Sequence, residues 1–241
     1  VVDRLALGAG QQVPEKMLVL PTVSYGYTGH VMDFPGTINN DTQHFIQHVL
    51  DITKSLAYHG FKKIYLLNGH GSNMPNLELV ARRTNLETDA ECMLSAWWQL
   101  LTVDKDFLPG WRESHFPGGC SHAGELETSL YLHLDRENVR EDKIKSGTIS
   151  YNDENLPHLY TDLFGSSAAA LVSWTSSYSE TGVLGDAEAA SAEKGKVAYE
   201  EAVKQLVTII NWFKDRPCDQ RQDKHRQPPT IPIPWNQQPL S

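Results

Sequence analysis

Several large classes of protein are excluded by what this chain has little of. No apolar run approaches the roughly 20 residues that cross a bilayer. No basic segment followed by an apolar one opens the chain in the manner of a secretory signal. Cysteine is scarce: Cys92, Cys120 and Cys218 form no Cys-x-x-Cys pair, and an odd number closes no disulfide framework. A reducing, cytoplasmic setting is therefore expected. Positive charge is also short, with 21 Lys and Arg against 30 Asp and Glu and a net charge of -9. Phosphate recognition needs clustered Lys and Arg, so neither nucleic acid nor a membrane surface is an expected partner. The acidic residues are scattered, which suits a solvated surface. Two motifs are absent as well: a Gly-x-Gly-x-x-Gly turn after a strand, and a nucleophilic serine motif.

What remains is ordinary globular composition, 40% apolar and 21% charged over 241 residues, enough for one α/β domain with a sizeable core. The first residues, Val1-Val2-Asp3-Arg4-Leu5-Ala6-Leu7, read as a helix already under way. Met17-Leu18-Val19-Leu20, stopped by Pro21, reads as a buried strand. Asn40 or Asp41 can cap a helix in which Phe45, Val49, Ile52 and Leu56 recur at helical spacing, ending at Gly60. Ile64-Tyr65-Leu66-Leu67 is a second apolar run, a helix follows from about Pro75, and residues 92–98 make a third run. Strand, helix and strand at these spacings predict a mainly parallel sheet covered by helices. A further helix is expected over residues 124–133 and a long one over 186–213. Residues 146–180 read as loops. The folded domain is thus placed at residues 1–214, and residues 215–241, punctuated by Pro217, Pro228, Pro229, Pro232, Pro234 and Pro239, are expected to form an extended tail. Trp97, Trp98, Trp174 and Trp212 are assigned to the core or to subunit contacts, with Trp174 and Tyr178 the alternatives for a pocket wall.

Two clusters offer chemistry. Asn68-Gly69-His70-Gly71-Ser72-Asn73 follows a strand, at the sheet end where ligands gather in α/β folds. Flanking glycines leave the His70 imidazole accessible as a metal ligand or base, although a turn histidine without a role would look the same. Ser121-His122-Ala123-Gly124-Glu125-Leu126-Glu127 enters a helix and brings together nitrogen and oxygen donors suited to Zn²⁺, Mn²⁺ or Fe²⁺. The competing explanation is an ordinary capped helix start. Taken together they favour a metal site.

These clusters have company. Tyr25-Gly26, His30, Phe34-Pro35-Gly36-Thr37, the Asn68–Asn73 loop and His122-Ala123-Gly124-Glu125-Leu126-Glu127-Thr128-Ser129 follow, in that order, the pattern of the creatininase family. Gly182-Val183-Leu184-Gly185-Asp186, with Ala189, Ala190, Glu193, Lys194 and Gly195, resembles that family's closing motif. The resemblance covers roughly residues 1–214. It implies a three-layer α/β/α sandwich and an amidohydrolase that cleaves a C–N bond of a small amide with metal-activated water. It also implies two divalent ions per subunit (Zn, Mn or Fe) and a homohexamer.

By the same resemblance His70 is a metal ligand. Creatininase supplies a second-metal carboxylate two residues after that histidine, where Ser72 stands here; relatives with this loop carry Glu at the position of Glu125, so Glu125 takes the ligand role. His122 matches a histidine placed over the substrate and is read as proton shuttle or transition-state donor. Glu127 matches a buried glutamate grouped with it in the catalytic apparatus. Tyr25, His30, Gly71, Ser72 and Asn73 are the expected substrate contacts, and Asn68 and Asn73 are expected to hold the loop. The family's Glu-x-His motif and the Asp after it are expected ahead of residue 1; Asp3, a few residues too close to Pro21, is the alternative within the chain. Gly71 and Gly118 stand where creatininase has bulky aromatics, which favours a larger or differently shaped amide than creatinine. The alternatives are a formamide deformylase or peptide-trimming hydrolase of the same family, and a non-catalytic oligomeric binding protein that has lost its metal.

Overall fold

The computed structural model describes residues 1–147, 149, 151, 155–218, 222–227 and 230, so most of the proline-rich tail lies outside the described residues. Helix α1 (Val2–Gln12) buries Leu5 and Ala9. Helix α2 (Thr42–Tyr58) starts where Asp41 accepts from the backbone N–H of Gln43 at 2.8 Å, and its buried residues Phe45, Val49, Leu50, Thr53 and Ala57 form one stripe. Strand β1 (Lys63–Asn68), helix α3 (Met74–Glu87) and strand β2 (Glu91–Ala96) make a parallel crossover unit, in register from Lys63↔Glu91 to Asn68↔Ala96. Pro75 lies in the first turn of α3, where its absent N–H costs nothing.

Alternation along the strands explains the layers. Leu66 and Leu94 pack with Phe45, Val49, Leu50, Leu77 and Val80 of α2 and α3. Tyr65 and Leu67, pointing the other way, pack against a cluster drawn from α1 and the C-terminal half, including Trp97, Leu101, Leu126, Leu130, Ala202 and Leu206. Both faces of the sheet are therefore covered by helices, as near-continuous apolar strands require. Across the first of these interfaces the buried hydroxyls of Thr53 and Thr84 satisfy one another at 2.7 Å.

After a short helix α4 (Phe107–Trp111), the chain forms strand β3 (Cys120–His122), helix α5 (Glu125–Leu134), the two-residue strand β4 (Leu184–Gly185) and the long helix α6 (Ala192–Asp215). β3 and β4 pair antiparallel through Cys120↔Gly185 and His122↔Leu184.

Two expectations need adjustment. The run at 17–20 is extended but joins no ladder among the described residues; Met17 packs on the core while Leu18 is 72% exposed. A short apolar run does not by itself supply a hydrogen-bonding neighbour. The last helix begins only at Ala192, because Ser191 caps it through the N–H of Lys194 and the residues before it form a 3₁₀ turn, Ala187–Ala189. Trp97 and Trp98 are core residues, whereas Trp174 and Trp212 are about half exposed in the single chain.

α5 and α6 approach one another at Gly195, where a Cβ would sit 1.9 Å from the Ser129 carbonyl oxygen. The absence of a side chain at Gly195 is what allows the two backbones to touch. Gly195→Ala should force the helices apart and lower stability by about 1–3 kcal/mol in urea unfolding; an unchanged midpoint would mean the contact is looser than drawn.

Candidate functional site

The His70 loop begins where β1 runs out of sheet. Asn68 is 2% exposed, and its side-chain amide bonds both backbone groups of His70: Nδ2 donates to the carbonyl at 2.7 Å and Oδ1 accepts from the N–H at 3.2 Å. The 3₁₀ turn Gly71–Asn73 follows, and Asn73 closes it by donating its own N–H to the His70 carbonyl at 3.0 Å. The Asn73 side chain reaches back to accept from the N–H of Tyr27 at 2.9 Å, and Gly26 lies so close that a Cβ there would meet the Asn73 amide at 2.6 Å. The loop bearing Tyr25 is thereby tied to the loop bearing His70. Tyr25 itself is 57% exposed at this edge.

His30, on the 3₁₀ turn Gly29–Val31, stacks on His70 with ring centroids 5.9 Å apart and planes at 17°. The Ser72 hydroxyl lies 3.4 Å from both His30 ring nitrogens. Burial, then the neighbouring His30 and His122, press the His70 imidazole down to about 4. Burial and His122 likewise lower the pKa of His30. Three histidines on three segments are thus close enough to feel one another's charge, and His70 is held neutral with lone pairs free. Its Nε2 is buried and has no hydrogen-bond partner. An orphaned buried nitrogen is costly unless something binds it, and a neutral imidazole nitrogen is the form that ligates metals. Beside it, Gly71 has nothing within 4 Å of where a Cβ would project.

His122 ends β3 and is exposed; its Nδ1 lies 3.6 Å from Glu127 Oε2. The same oxygen accepts from the N–H of Ala123 at 2.7 Å, and the Thr128 hydroxyl donates to the Ala123 carbonyl at 2.9 Å. Ala123 has φ +48, the one non-glycine residue with positive φ among those described. That conformation costs a non-glycine residue roughly 1–2 kcal/mol. It persists because Glu127 and Thr128 hold both of its peptide groups, and it turns the chain sharply between His122 and α5. Behind the turn, Gly124 and Gly185 each press on the Gly119 carbonyl, at 2.5 and 2.4 Å from a hypothetical Cβ, so no side chain fits at either position.

Glu125, expected as a metal ligand, has its carboxylate engaged by donors of the chain itself. It is fully buried, and its carboxylate is occupied: Oε1 accepts from the N–H of Glu113 at 2.9 Å and from the Lys194 ammonium, and Oε2 accepts from the N–H of Ser114 at 3.0 Å. The Cys120 thiol points at Oε2 from 3.7 Å, and burial pushes that thiol up to about 11, so it stays protonated. Burial alone would raise the Glu125 pKa, but the donors from Lys194, Ser114 and Glu113 outweigh it and keep it below the ordinary carboxylate range. Lys194 was visible in sequence only as part of a motif; its partnership with Glu125 spans 69 positions and nothing local announces it.

Tertiary folding therefore brings His30, His70, Ser72 and His122 together, with Glu127 behind His122, and leaves Glu125 in the frame. Among the described residues no group of three His, Cys, Asp or Glu side chains is placed to share a metal ion. His70 fits a metal as a single ligand. Asp3, the alternative ligand, accepts from the Thr22 hydroxyl at 3.2 Å.

The profile of the creatininase family, creatinine amidohydrolase, matches residues 1–210. The mycofactocin precursor peptide peptidase of Mycobacterium tuberculosis is 30% identical over 200 residues, covering 83% of this chain and 68% of that protein. The creatinine amidohydrolase of Pseudomonas putida is 26% identical over 204 residues, covering 80% and 74%. Solved creatininase in a manganese form and in a zinc–zinc variant form superposes with TM-scores of 0.67 and 0.66 at 24% identity, covering 88% of this chain and 81% of theirs. At that identity the superposition speaks for the fold, and it agrees with the layered α/β arrangement.

Two tests follow from the geometry. Glu125→Gln sets an NH₂ group against a backbone donor and takes from Lys194 its buried carboxylate, leaving it the exposed Glu113 at 3.3 Å, so it should cost about 3–5 kcal/mol in urea unfolding while leaving metal content per folded subunit unchanged; metal loss without destabilisation would point to Glu125 as a ligand. For His70 the folded pKa of about 4 lies below the ordinary 6.5. The unfolded chain therefore takes the proton first, and the metal-free protein should lose stability as pH falls from 6.5 towards 4. His70→Gln should flatten that part of the melting profile.

Proposed function

Because the chain belongs to the creatininase family, we propose that it is a metal-dependent hydrolase that opens a C–N amide bond with activated water, using two divalent ions per subunit of the zinc, manganese or iron type. The observation that supports this most directly is the buried, partnerless Nε2 of a neutral His70, beside two further histidines. A divalent cation at that nitrogen supplies a water of lowered pKa and a Lewis acid for the carbonyl.

The rest is work for side chains of this chain. His122 faces Glu127 with Nδ1, which leaves Nε2 as the nitrogen that takes a proton and returns it to the departing amine. Glu127 faces that imidazole and, through the Ala123 N–H, holds the turn that aims it. Ser72 and His30 offer neutral donors and acceptors beside His70 for the substrate amide, and Tyr25 and Asn73 border the same opening.

A second reading within this class is peptide trimming. It is favoured by the open space at Gly71, which leaves room for a chain to pass beside His70, and by the likeness to a peptide peptidase. The same family likeness supports a homohexamer in the cytoplasm; Leu171, Val172 and Trp174 form an exposed apolar stretch suited to a subunit contact. No helix among the described residues is long and apolar enough to cross a membrane.

Plasma mass spectrometry on the purified protein should find about two transition-metal ions per subunit, as a binuclear hydrolase needs, and fewer in His70→Ala. His122→Ala should keep the metal and lose about 10²–10⁴-fold in kcat across whichever of short peptides, cyclic amides or formamides the protein hydrolyses. A wild-type protein free of metal and inert on all three would sink the hydrolytic reading and leave an oligomeric binding protein.

A further inference from the structure

The two peptide groups of His70 lie just past the end of β1, whose last paired position is Asn68↔Ala96. A strand that leaves its sheet normally gives these groups to water, which lets the next residue wander. Here Asn68 supplies both partners from one side chain, as a neighbouring strand would. Only one orientation of its amide works, because flipping it would set NH₂ against N–H and oxygen against oxygen. With the His70 backbone held in extended geometry by Asn68, and its carbonyl further held by Asn73, the ring keeps two torsions, and stacking on His30 limits those.

We propose that Asn68 is a positioning residue that fixes the His70 imidazole so that Nε2 stays buried and aimed into the site; as a role in metal capture, this rests on the hydrolase reading above. Neither Ala nor Asp can replace it. Ala loses both bonds. Asp could accept from the His70 N–H but would press a buried carboxylate on the carbonyl that Nδ2 now reaches at 2.7 Å. Groups that orient a ligating histidine are worth about 10–100-fold in metal affinity.

The molecule contains its own control. Asn85 makes the same two-point clamp on Cys92, accepting from its N–H at 3.0 Å and donating to its carbonyl at 3.0 Å, on a strand that bears no histidine. Asn85→Ala therefore reports what losing such a clamp does to the fold alone.

Zinc titration by calorimetry on chelator-stripped protein should show affinity roughly 10–100-fold weaker in Asn68→Ala, no stronger in Asn68→Asp, and unchanged in Asn85→Ala. In parallel, the rate at which diethyl pyrocarbonate modifies His70, read by peptide mass spectrometry without metal, should rise several-fold in Asn68→Ala and stay at the wild-type value in Asn85→Ala. Wild-type zinc affinity and an unaltered modification rate in folded Asn68→Ala would overturn the proposal. If the wild-type protein takes up no zinc, the hydrolase reading falls, and the modification rate still decides this one: faster in Asn68→Ala alone upholds it, equal in all variants overturns it.

Discussion

A carboxylate removed from water has to be surrounded by donors, or the segments around it come apart. Glu125 is such a group, with none of its surface exposed, and its donors come from three parts of the chain: the turn at Glu113 and Ser114, the strand residue Cys120, and Lys194 at the start of α6. A second buried pair supports the same region. Asp162, on a distant loop, accepts from Arg112 at 2.7 Å and from the N–H of Gly118 at 2.8 Å, while Arg112 also donates to the Ser114 carbonyl. Between them these two carboxylates determine the course of residues 112–120. The strand that delivers His122 begins where that course ends.

The site therefore has two differently built halves. On the His70 side, neutral amides do the holding: Asn68 clamps the histidine and Asn73 ties its loop to Tyr27. On the His122 side, charge does it, with Glu127 holding a strained Ala123 in place and the Glu125–Lys194 pair behind. The division has a chemical reason. A ligating imidazole must stay neutral, and at His70 burial, with the nearby His30 and His122, favours that form. A proton-transferring imidazole gains from a nearby carboxylate that steadies its charged form. Gly71, between the halves, contributes by having no side chain.

Much of this was legible from the residues. The apolar runs and helical apolar patterns marked α2, β1, α3 and β2, and Asp41 and Gly60 marked ends that the structure respects. The ordered motifs singled out His30, His70, Ser72 and His122, which do converge. Glu125 shows the limit. Its spacing from His122 suits a ligand as well as it suits a capped helix start, and only the positions of Lys194 and the 113–114 turn distinguish the two. The 17–20 run shows the same limit in the sheet: an apolar run suggests a strand but not whether a neighbour is present to pair.

The chain's local chemistry thus decided its class: which segments are helix and strand, and that it belongs to the creatininase family, because these are written in spacing and short motifs. Tertiary structure decided the roles. Which donors surround the buried Glu125 carboxylate, and whether Gly195 interrupts a helix or lets two helices touch, depend on partners far along the chain. Those partners meet only when burial forces each polar group to find one.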